Sequence, residues 1–336
     1  MKKHFTLILL IPFFILGCTS NTQDNDAQMD YALVIHGGAG NMSIENVNPE
    51  NQKLYTEKLT EALNRGLEIL ASGGSSVDAV ESVINILEDS PLFNAGKGAV
   101  FTHEGTNELD ASIMNGANLN AGAVAGVKNI RNPISAARKV MENSEHVLLS
   151  GDGASEFAAK QGLEIVEPSY FYTESRYNAL LRLLESKGEE TTHLTLKKMG
   201  TVGCVALDKT GNICAGTSTG GMTNKMFGRI GDSPIIGAGT YANNKTCGVS
   251  ATGHGEFFIR FTVAHDISAL MEYKGLSVDE AARVVIQDKL PEAGGSGGVI
   301  CLDSHGNYSF QFNTTGMFRA YGNSEGVVKV AIFREE

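Results

Sequence analysis

Residues 200–208 read Gly-Thr-Val-Gly-Cys-Val-Ala-Leu-Asp, an apolar run that is typical of a buried strand and opens with Gly200-Thr201. The preceding residues 185–200 are polar, highly charged and weakly patterned, which predicts a mobile surface connection. A β-branched residue at the start of a strand is ordinary. Cleavage of the Gly200-Thr201 bond, however, would give Thr201 a hydroxyl nucleophile with its own amine as base. The stretch alone leaves both interpretations open.

The composition is that of a globular protein and argues against a nucleic-acid partner. The chain has 336 residues, of which 42% are hydrophobic and 19% charged, so most of it can bury a core. Its net charge is -11, and it lacks the clusters of Lys and Arg on which phosphate-backbone binding depends. We therefore expect no nucleic-acid partner.

The first eighteen residues have the pattern of an export signal. Lys2 and Lys3 precede an apolar run over 5–16, which ends at Gly17-Cys18 and is too short for a membrane-spanning helix. The run resembles a bacterial lipoprotein signal over 1–17, with Cys18 lipidated and 18–30 as a polar tether. We expect an exported protein, anchored to the membrane by lipid and facing the periplasm. Cleavage without lipidation is the alternative.

The other four cysteines do not have metal-ligand spacing. Export would permit a disulfide among them, but their apolar, strand-like surroundings favour buried thiols. They are Cys204, Cys214, Cys247 and Cys301.

The first half of the chain mixes helices and strands. A short strand over 31–35 delivers the loop 36–40, His-Gly-Gly-Ala-Gly. Apolar periodicity then predicts helices over 52–72 and 76–88, strands over 108–114 and 121–127, and helices over 133–142, 153–160 and 170–186.

The second half is richer in strands. The pattern predicts a hairpin of strands 201–207 and 213–219, helices over 256–273 and 278–289, and strands over 298–302, 308–312 and 326–333. Two sheets with helices on their outer faces fit this inventory.

Two glycine-rich motifs imitate a serine esterase. Residues 216–220 match Gly-x-Ser-x-Gly around Ser218, and residues 36–40 resemble an esterase oxyanion loop. An esterase elbow needs a helix after the serine, whereas 221–228 have loop chemistry. We therefore disfavour Ser218 as the nucleophile.

Polar residues distant in the sequence would instead serve Thr201. The hairpin brings Thr219 beside Thr201, and Thr252 lies where a predicted strand leads into a helix, with backbone N–H groups suited to an oxyanion. Arg229 and Asp232 share a glycine-rich loop and could hold the carboxylate and ammonium of an amino acid. A surface ion pair is the alternative for these two residues.

Taken together, these segments closely resemble the isoaspartyl peptidase/L-asparaginase family, the plant-type asparaginases. The resemblance runs from about residue 31 to the C-terminus, and its motifs occupy 36–40, 91–98, 108–112, 200–208, 216–222, 228–232 and 251–256. It implies an N-terminal-nucleophile hydrolase fold, a four-layer αββα sandwich. It also implies a precursor that cuts itself between Gly200 and Thr201 into α (31–200) and β (201–336) subunits.

The resemblance implies a role for each matching residue. Thr201 would attack the side-chain amide of asparagine or the isopeptide carbonyl of a β-aspartyl dipeptide, and water would resolve the ester. Thr219 would support the nucleophile. Thr252 and the Gly253 N–H would form the oxyanion hole, with Asn94 at its rim or in support. The residues that would bind the substrate are Arg229, Asp232, Gly253 and Gly255.

The family also implies a structural sodium ion and a dimer of αβ units, with no cofactor for catalysis. The ion would be bound by main-chain carbonyls of Leu87, Glu88, Ser90, Phe93, Ala95 and Lys97.

Three other functions stay open at this stage. Glycosylasparaginase shares the nucleophile, but that branch resembles Asp-Thr-Ile-Gly at the cleavage site and uses a tryptophan, whereas this chain has Met-Gly-Thr-Val over 199–202 and no Trp. Threonine aspartases fit less well, because the chain has no obvious long insertion. An inactive lipid-anchored binding protein is the remaining alternative.

Overall fold

Two β-sheets lie face to face at the centre of the protein. The computed structural model describes residues 1–2, 29–43, 45, 47–185 and 200–334. One sheet has eight strands in the order β12-β11-β1-β5-β6-β2-β3-β4, and the other has four in the order β10-β9-β8-β7. The strands are β1 Ala32–Gly40, β2 Leu109–Asn115, β3 Ala121–Val127, β4 Leu148–Ser150, β5 Val202–Leu207, β6 Ile213–Thr219, β7 Thr240–Ala242, β8 Cys247–Gly253, β9 Gly297–Asp303, β10 Tyr308–Phe312, β11 Gly316–Asn323 and β12 Val328–Phe333.

Helices cover the outer face of each sheet. They are α1 Pro49–Ala71, α2 Ser76–Glu88, α3 Pro133–Asn143, α4 Gly151–Lys160, α5 Glu174–Glu185, α6 Gly255–Phe261, α7 Val263–Lys274 and α8 Val278–Arg283, which continues as a π-helical turn Val284–Lys289. Helices α1 to α3 pack on the large sheet, and α7 and α8 pack on the small one. None of the described helices is long and apolar enough to cross a membrane.

Three apolar layers hold these elements together. One lies between the large sheet and α1 to α3, a second between the two sheets, and a third between the small sheet and α6 to α8. The arrangement is the four-layer αββα sandwich that the sequence predicted. Cys204, Cys214, Cys247 and Cys301 are buried in it as free thiols.

Local sequence explains how the hairpin of β5 and β6 is positioned. The Asp208 carboxylate accepts hydrogen bonds from the backbone N–H groups of Thr210 and Asn212, at 2.9 and 3.1 Å, which closes the turn between β5 and β6. Its other oxygen accepts a bond from Ser76 N at 2.9 Å, at the start of α2. One side chain thus joins the hairpin to the helix that covers it.

Several predicted elements differ from the structure. Residues 36–40 belong to β1, with a register shift between His36 and Gly38, and do not form a loop after a strand ending at residue 35. The helix predicted over 256–273 is broken at Thr262, whose φ of 47° is left-handed. The helix predicted over 170–186 is a 3-10 turn followed by α5.

The sequence analysis missed three strands, β4, β7 and β11. It also placed the start of β12 two residues too early, at 326. Most of the export signal predicted over 1–17, Cys18 and most of the 185–200 connection lie outside the described residues.

Candidate active site

Thr201 lies in a pocket that is lined by residues from both sheets. It precedes β5, is 8% exposed, and stands next to residues brought in by other strands and loops. Eight residues selected from the sequence line this pocket: Asn94, Gly200, Thr201, Thr219, Arg229, Asp232, Thr252 and Gly253.

The hydroxyl group of Thr201 is oriented by Thr219. The Thr201 Oγ1 donates a hydrogen bond to Thr219 Oγ1 at 3.1 Å. Antiparallel pairing of β5 and β6 places Val202 opposite Ser218 and so brings the two threonines together. Thr219 Oγ1 also accepts a bond from Gly221 N at 3.0 Å. The acceptor is therefore held by a tight turn that directly follows β6.

Gly200 is enclosed between two segments that leave no room for a side chain. A Cβ at Gly200 would lie 2.5 Å from Thr252 Oγ1, and a Cβ at Gly38 would lie 2.7 Å from the Gly200 Cα, N and O atoms. Thr252 Oγ1 accepts a bond from Ala39 N at 3.3 Å, which does not use its own proton. That proton can be donated to an oxygen that becomes negative beside Thr201.

Arg229 and Asp232 place opposite charges at the other end of the pocket. Asp232 is 5% exposed, and its Oδ2 has no hydrogen-bond partner among the described residues. Burial raises the pKa of this carboxyl to about 7, although Arg229 opposes the shift. A buried acceptor without a partner is costly, and a ligand ammonium group would satisfy it.

Gly255 allows these charged groups to approach the start of α6. A Cβ there would lie 2.8 Å from Arg229 Nη2 and 2.9 Å from Asp232 Oδ1. Gly255 is not among the residues that line the pocket. In the structure, the absence of a side chain at Gly255 leaves space for Arg229 and Asp232.

Asn94 is a buried wall of the pocket, not an exposed rim residue. It is 3% exposed. Its Nδ2 donates to Gly221 O at 2.7 Å, and its Oδ1 accepts from Val100 N at 3.0 Å. Asn94 thereby fixes the same turn that holds Thr219, and its second amide hydrogen is not used in these bonds.

Comparison with known proteins agrees with this geometry. A family model described as asparaginase matches residues 29–332. The chain belongs to this asparaginase family. It is 49% identical over 308 residues to a protein named isoaspartyl peptidase from Salmonella typhimurium, which covers 90% of this chain and 98% of the relative.

Similar proteins also occur in Dictyostelium discoideum and Rattus norvegicus. A putative isoaspartyl peptidase/L-asparaginase of Dictyostelium discoideum is 48% identical over 342 residues, with 90% of this chain and 98% of the relative covered. An isoaspartyl peptidase/L-asparaginase of Rattus norvegicus is 41% identical over 293 residues, with 87% and 86% covered. Family membership makes the protein a hydrolase.

The esterase-like motif has a different role in this asparaginase-family fold. Ser218 neighbours Thr219 on β6, so its side chain projects to the opposite face of the sheet. There its Oγ donates to Glu88 Oε1 at 2.6 Å, and both residues are fully buried. Burial raises the pKa of Glu88 to about 8. Ser218 is thus a buried partner of a carboxyl group and does not face the pocket.

A chain of buried hydroxyl groups between the two sheets was not predicted from the sequence. His36 Nε2 lies 3.0 Å from Ser250 Oγ, which lies 2.6 Å from Thr217 Oγ1. Thr240 Oγ1 donates to Thr217 at 2.6 Å, and Ser112 Oγ lies 2.8 Å from Thr240. The hydroxyl residues are small polar ones within largely apolar strands, so only the paired sheets bring them together.

His36 begins this chain as a neutral ring. Burial lowers its pKa to about 3. Gly203 makes the contact possible, because a Cβ there would overlap Ser250 Oγ and His36 Nε2. The His-Gly-Gly motif therefore contributes a ring between the sheets as well as the glycines near Gly200.

A buried lysine beside Gly221, a residue that lines the pocket, was also not predicted. Lys225 is 2% exposed, and its Nζ donates to Glu108 O at 3.0 Å. Burial lowers its pKa, which the nearby Asp110 and Glu108 oppose. The surrounding loop chemistry gave no signal for burial of a lysine.

Proposed function

We propose that the protein is a self-cleaving threonine hydrolase that removes β-aspartyl residues from isoaspartyl dipeptides and deamidates L-asparagine. The observation that carries this proposal is the placement of Thr201, hydrogen-bonded to Thr219 at 3.1 Å, in one pocket with Arg229 and Asp232, whose Oδ2 has no hydrogen-bond partner in the described part of the chain. The printed names of the relatives support the same activity.

Self-cleavage begins with Gly200 and Thr201 joined in the pocket. Thr201 Oγ attacks the Gly200 carbonyl carbon, and the C–N bond breaks as the acyl group moves to oxygen. Water then hydrolyses this ester, which leaves a carboxylate on Gly200 and an amine on Thr201. Close contact of Gly38 and Thr252 with Gly200 supports this step, because it confines the scissile carbonyl.

The mature site uses the new amine as its base. An unperturbed α-amino group has a pKa of about 8, so a useful fraction is neutral near pH 7. It takes the proton from Thr201 Oγ, which attacks the β-carbonyl carbon of the substrate. The C–N bond breaks, and ammonia or the dipeptide's second amino acid leaves with a proton. Water hydrolyses the β-aspartyl ester and restores Thr201.

The remaining residues bind the substrate and the developing charge. Arg229 holds the α-carboxylate by a charge-assisted hydrogen bond, and Asp232 holds the α-ammonium group, assisted by the backbone of Gly253 and Gly255. Thr252 and the Gly253 N–H stabilise the oxyanion, while Asn94 and Thr219 keep the surrounding turn and nucleophile in place.

A sodium ion is proposed for the loop that carries Asn94. Carbonyls of Leu87, Glu88, Ser90, Phe93, Ala95 and Lys97 would hold it. Two glycines leave space for these carbonyl groups to turn into the loop. A Cβ at Gly96 would overlap Glu88 O, and a Cβ at Gly98 would overlap Phe93 O. The ion would supply positive charge that fixes the loop and takes no part in bond making.

We also propose that the protein is a periplasm-facing lipoprotein, cleaved before Cys18, that assembles as a dimer of αβ units. The sequence pattern of residues 2–18 supports lipidation, and the family resemblance supports the dimer. Metabolic labelling with a fatty acid and size-exclusion chromatography of the mature protein test these two statements.

Hydrolysis assays test the proposed activity. Values of kcat/KM are compared for a β-aspartyl dipeptide, L-asparagine and N4-(N-acetylglucosaminyl)-L-asparagine. We expect turnover of the first two to exceed that of the third. Preference for the glycosylated substrate would establish the glycosylasparaginase alternative, and absence of all three activities would favour an inactive binding protein.

A further inference from the structure

Glu256 forms a bidentate ion pair with Arg229 of the substrate pocket. Arg229 Nε donates to Glu256 Oε1 and Arg229 Nη2 donates to Glu256 Oε2, each at 3.0 Å. The pair is bidentate and half-buried, with the arginine side chain 19% and the glutamate side chain 44% exposed. No role for Glu256 follows from the proposed chemistry.

The second edge of the Arg229 guanidinium group does not face Glu256. Arginine has five N–H donors in a rigid plane. Glu256 uses one donor on Nε and one on Nη2, which leaves the edge formed by Nη1 and the second Nη2 hydrogen. Gly231 makes room at this edge, because a Cβ there would lie 2.8 Å from Nη1. Both Arg229 and Gly231 line the pocket.

We propose that Glu256 is a positioning residue that holds the guanidinium plane of Arg229 so that its outer edge receives the α-carboxylate of the substrate. This inference rests on the proposed function, and it assigns one side of Arg229 to the protein and the other to the substrate. A guanidinium fixed before binding loses less conformational freedom when the ligand arrives.

The charges in the pocket favour an ion pair between Arg229 and Glu256 before substrate binds. Glu256 neutralises Arg229 before substrate arrives, and the Asp232 carboxyl stays available to a substrate ammonium group. Burial alone would raise the pKa of Glu256, but hydrogen bonding and charge from Arg229 lower it. His254 Nε2 lies 3.2 Å from Glu256 Oε2, which braces the carboxylate from the pocket side.

The opposite role is that Glu256 competes with the substrate for Arg229. The two roles predict opposite changes in substrate affinity when Glu256 is replaced. Loss of a positioning carboxylate weakens binding of the substrate, whereas loss of a competitor strengthens it.

Steady-state kinetics of mature Glu256→Ala and Glu256→Gln proteins separate these roles. We expect Glu256→Ala to raise KM for L-asparagine about tenfold with little change in kcat. Glu256→Gln keeps one acceptor and is expected to fall between Glu256→Ala and the unaltered protein. Glu142→Gln is the matched control, because Glu142 accepts a bond from Arg138 Nε at 2.8 Å with 35% of its side chain exposed, on α3.

A second substrate shows whether the effect acts on the carboxylate. L-Asparaginamide carries a neutral α-amide in place of the α-carboxylate. We expect Glu256→Ala to reduce the preference for L-asparagine over this amide, measured as the ratio of kcat/KM values. A general loss of structure would lower both values and leave their ratio unchanged, which would overturn the proposal, as would a lower KM.

Binding of L-aspartate, measured by calorimetry, gives the same comparison without turnover. We expect weaker binding to Glu256→Ala than to the unaltered protein and the control. If the unaltered protein binds L-aspartate but hydrolyses nothing, the proposed function fails while the role of Glu256 is still decided by this series. Equal affinity across the series would overturn the inference alone.

Discussion

At the scale of single residues, the hydroxyl of Thr219 is the contact that orients Thr201, the proposed nucleophile. It accepts bonds from Thr201 Oγ1 and from Gly221 N. Thr219→Val keeps the shape but removes the acceptor, so we expect kcat to fall about a hundredfold. Thr219→Ser keeps the hydroxyl and should retain most of the activity.

The neighbouring serine supplies the control for this pair. Ser218→Ala removes a buried hydroxyl bonded to Glu88 on the other face of the sheet. We expect a lower Tm with kcat nearly unchanged. Equal losses of kcat at positions 218 and 219 would contradict the assignment of the catalytic face.

The Asp232 carboxyl predicts an unusual dependence on pH. Its pKa is raised to about 7, so the charged form that binds ammonium is lost as pH falls through 7. The Thr201 amine must also be neutral, with an ordinary pKa of about 8. Because two protons must leave the unliganded protein, log kcat/KM should fall with a limiting slope of two below pH 7.

Asp232→Asn removes one of these two titrations. Its kcat/KM should be much lower at every pH, because the ammonium loses its partner, and the acid limb should have a slope of one. A slope of two in Asp232→Asn would contradict the role given to this carboxyl.

At the scale of elements, the contact of β1 with the scissile bond predicts a defect in self-cleavage. Gly38 has a φ of 110°, and a Cβ there would lie 2.7 Å from backbone atoms of Gly200. Gly38→Ala should displace Gly200 and slow self-cleavage at least about tenfold. Quantitative gel densitometry of precursor and fragments over time measures this rate.

Gly73→Ala is the control that distinguishes loss of the contact between Gly38 and Gly200 from the effect of backbone strain at a positive φ. Gly73 also has a positive φ, 86°, but a Cβ there meets nothing within 4 Å. This substitution should lower Tm and leave self-cleavage unchanged. Equal slowing by both substitutions would show that strain, and not the approach to Gly200, sets the rate.

The elements that sequence could predict are those with uninterrupted local patterns. The bounds of α2, β3, β6 and β10 agree with the prediction, because their apolar periodicity and flanking turn residues are clear. β11 was missed although it pairs with β1 along most of that strand. Its buried Arg319 and its glycines at 316 and 322 break the apolar pattern, so only tertiary pairing stabilises it as a strand.

The residues of the site divide in the same way. Thr201, Thr219, Arg229 and Asp232 were selected because the hairpin and the glycine-rich loop predicted their placement, and because their motifs resemble a known family. Glu256, Lys225 and the hydroxyl groups beside His36 were given no role from the sequence, although Glu256 ends the motif 251–256, because each depends on a partner far away in sequence. Their burial and charge pairing appear only after the two sheets are packed together.

At the scale of the whole molecule, strand order predicts that the two products of self-cleavage stay together. β1, from the first product, lies between β11 and β5 of the second, and β2 lies next to β6. Separation would break these pairings and expose two apolar layers. We expect both fragments in one peak on native size-exclusion chromatography and one cooperative unfolding transition. Release of the 201–336 fragment without denaturant would contradict this.

Intact-mass spectrometry of the purified protein and of Thr201→Ala tests the central claim most directly. The account predicts that the unaltered protein gives two chains, one of them beginning at Thr201, and releases ammonia from L-asparagine. Thr201→Ala should remain a single chain with no hydrolysis. A fragment that begins at another residue, or cleavage or hydrolysis that persists in Thr201→Ala, would contradict the assignment of Thr201 as cleavage site and nucleophile.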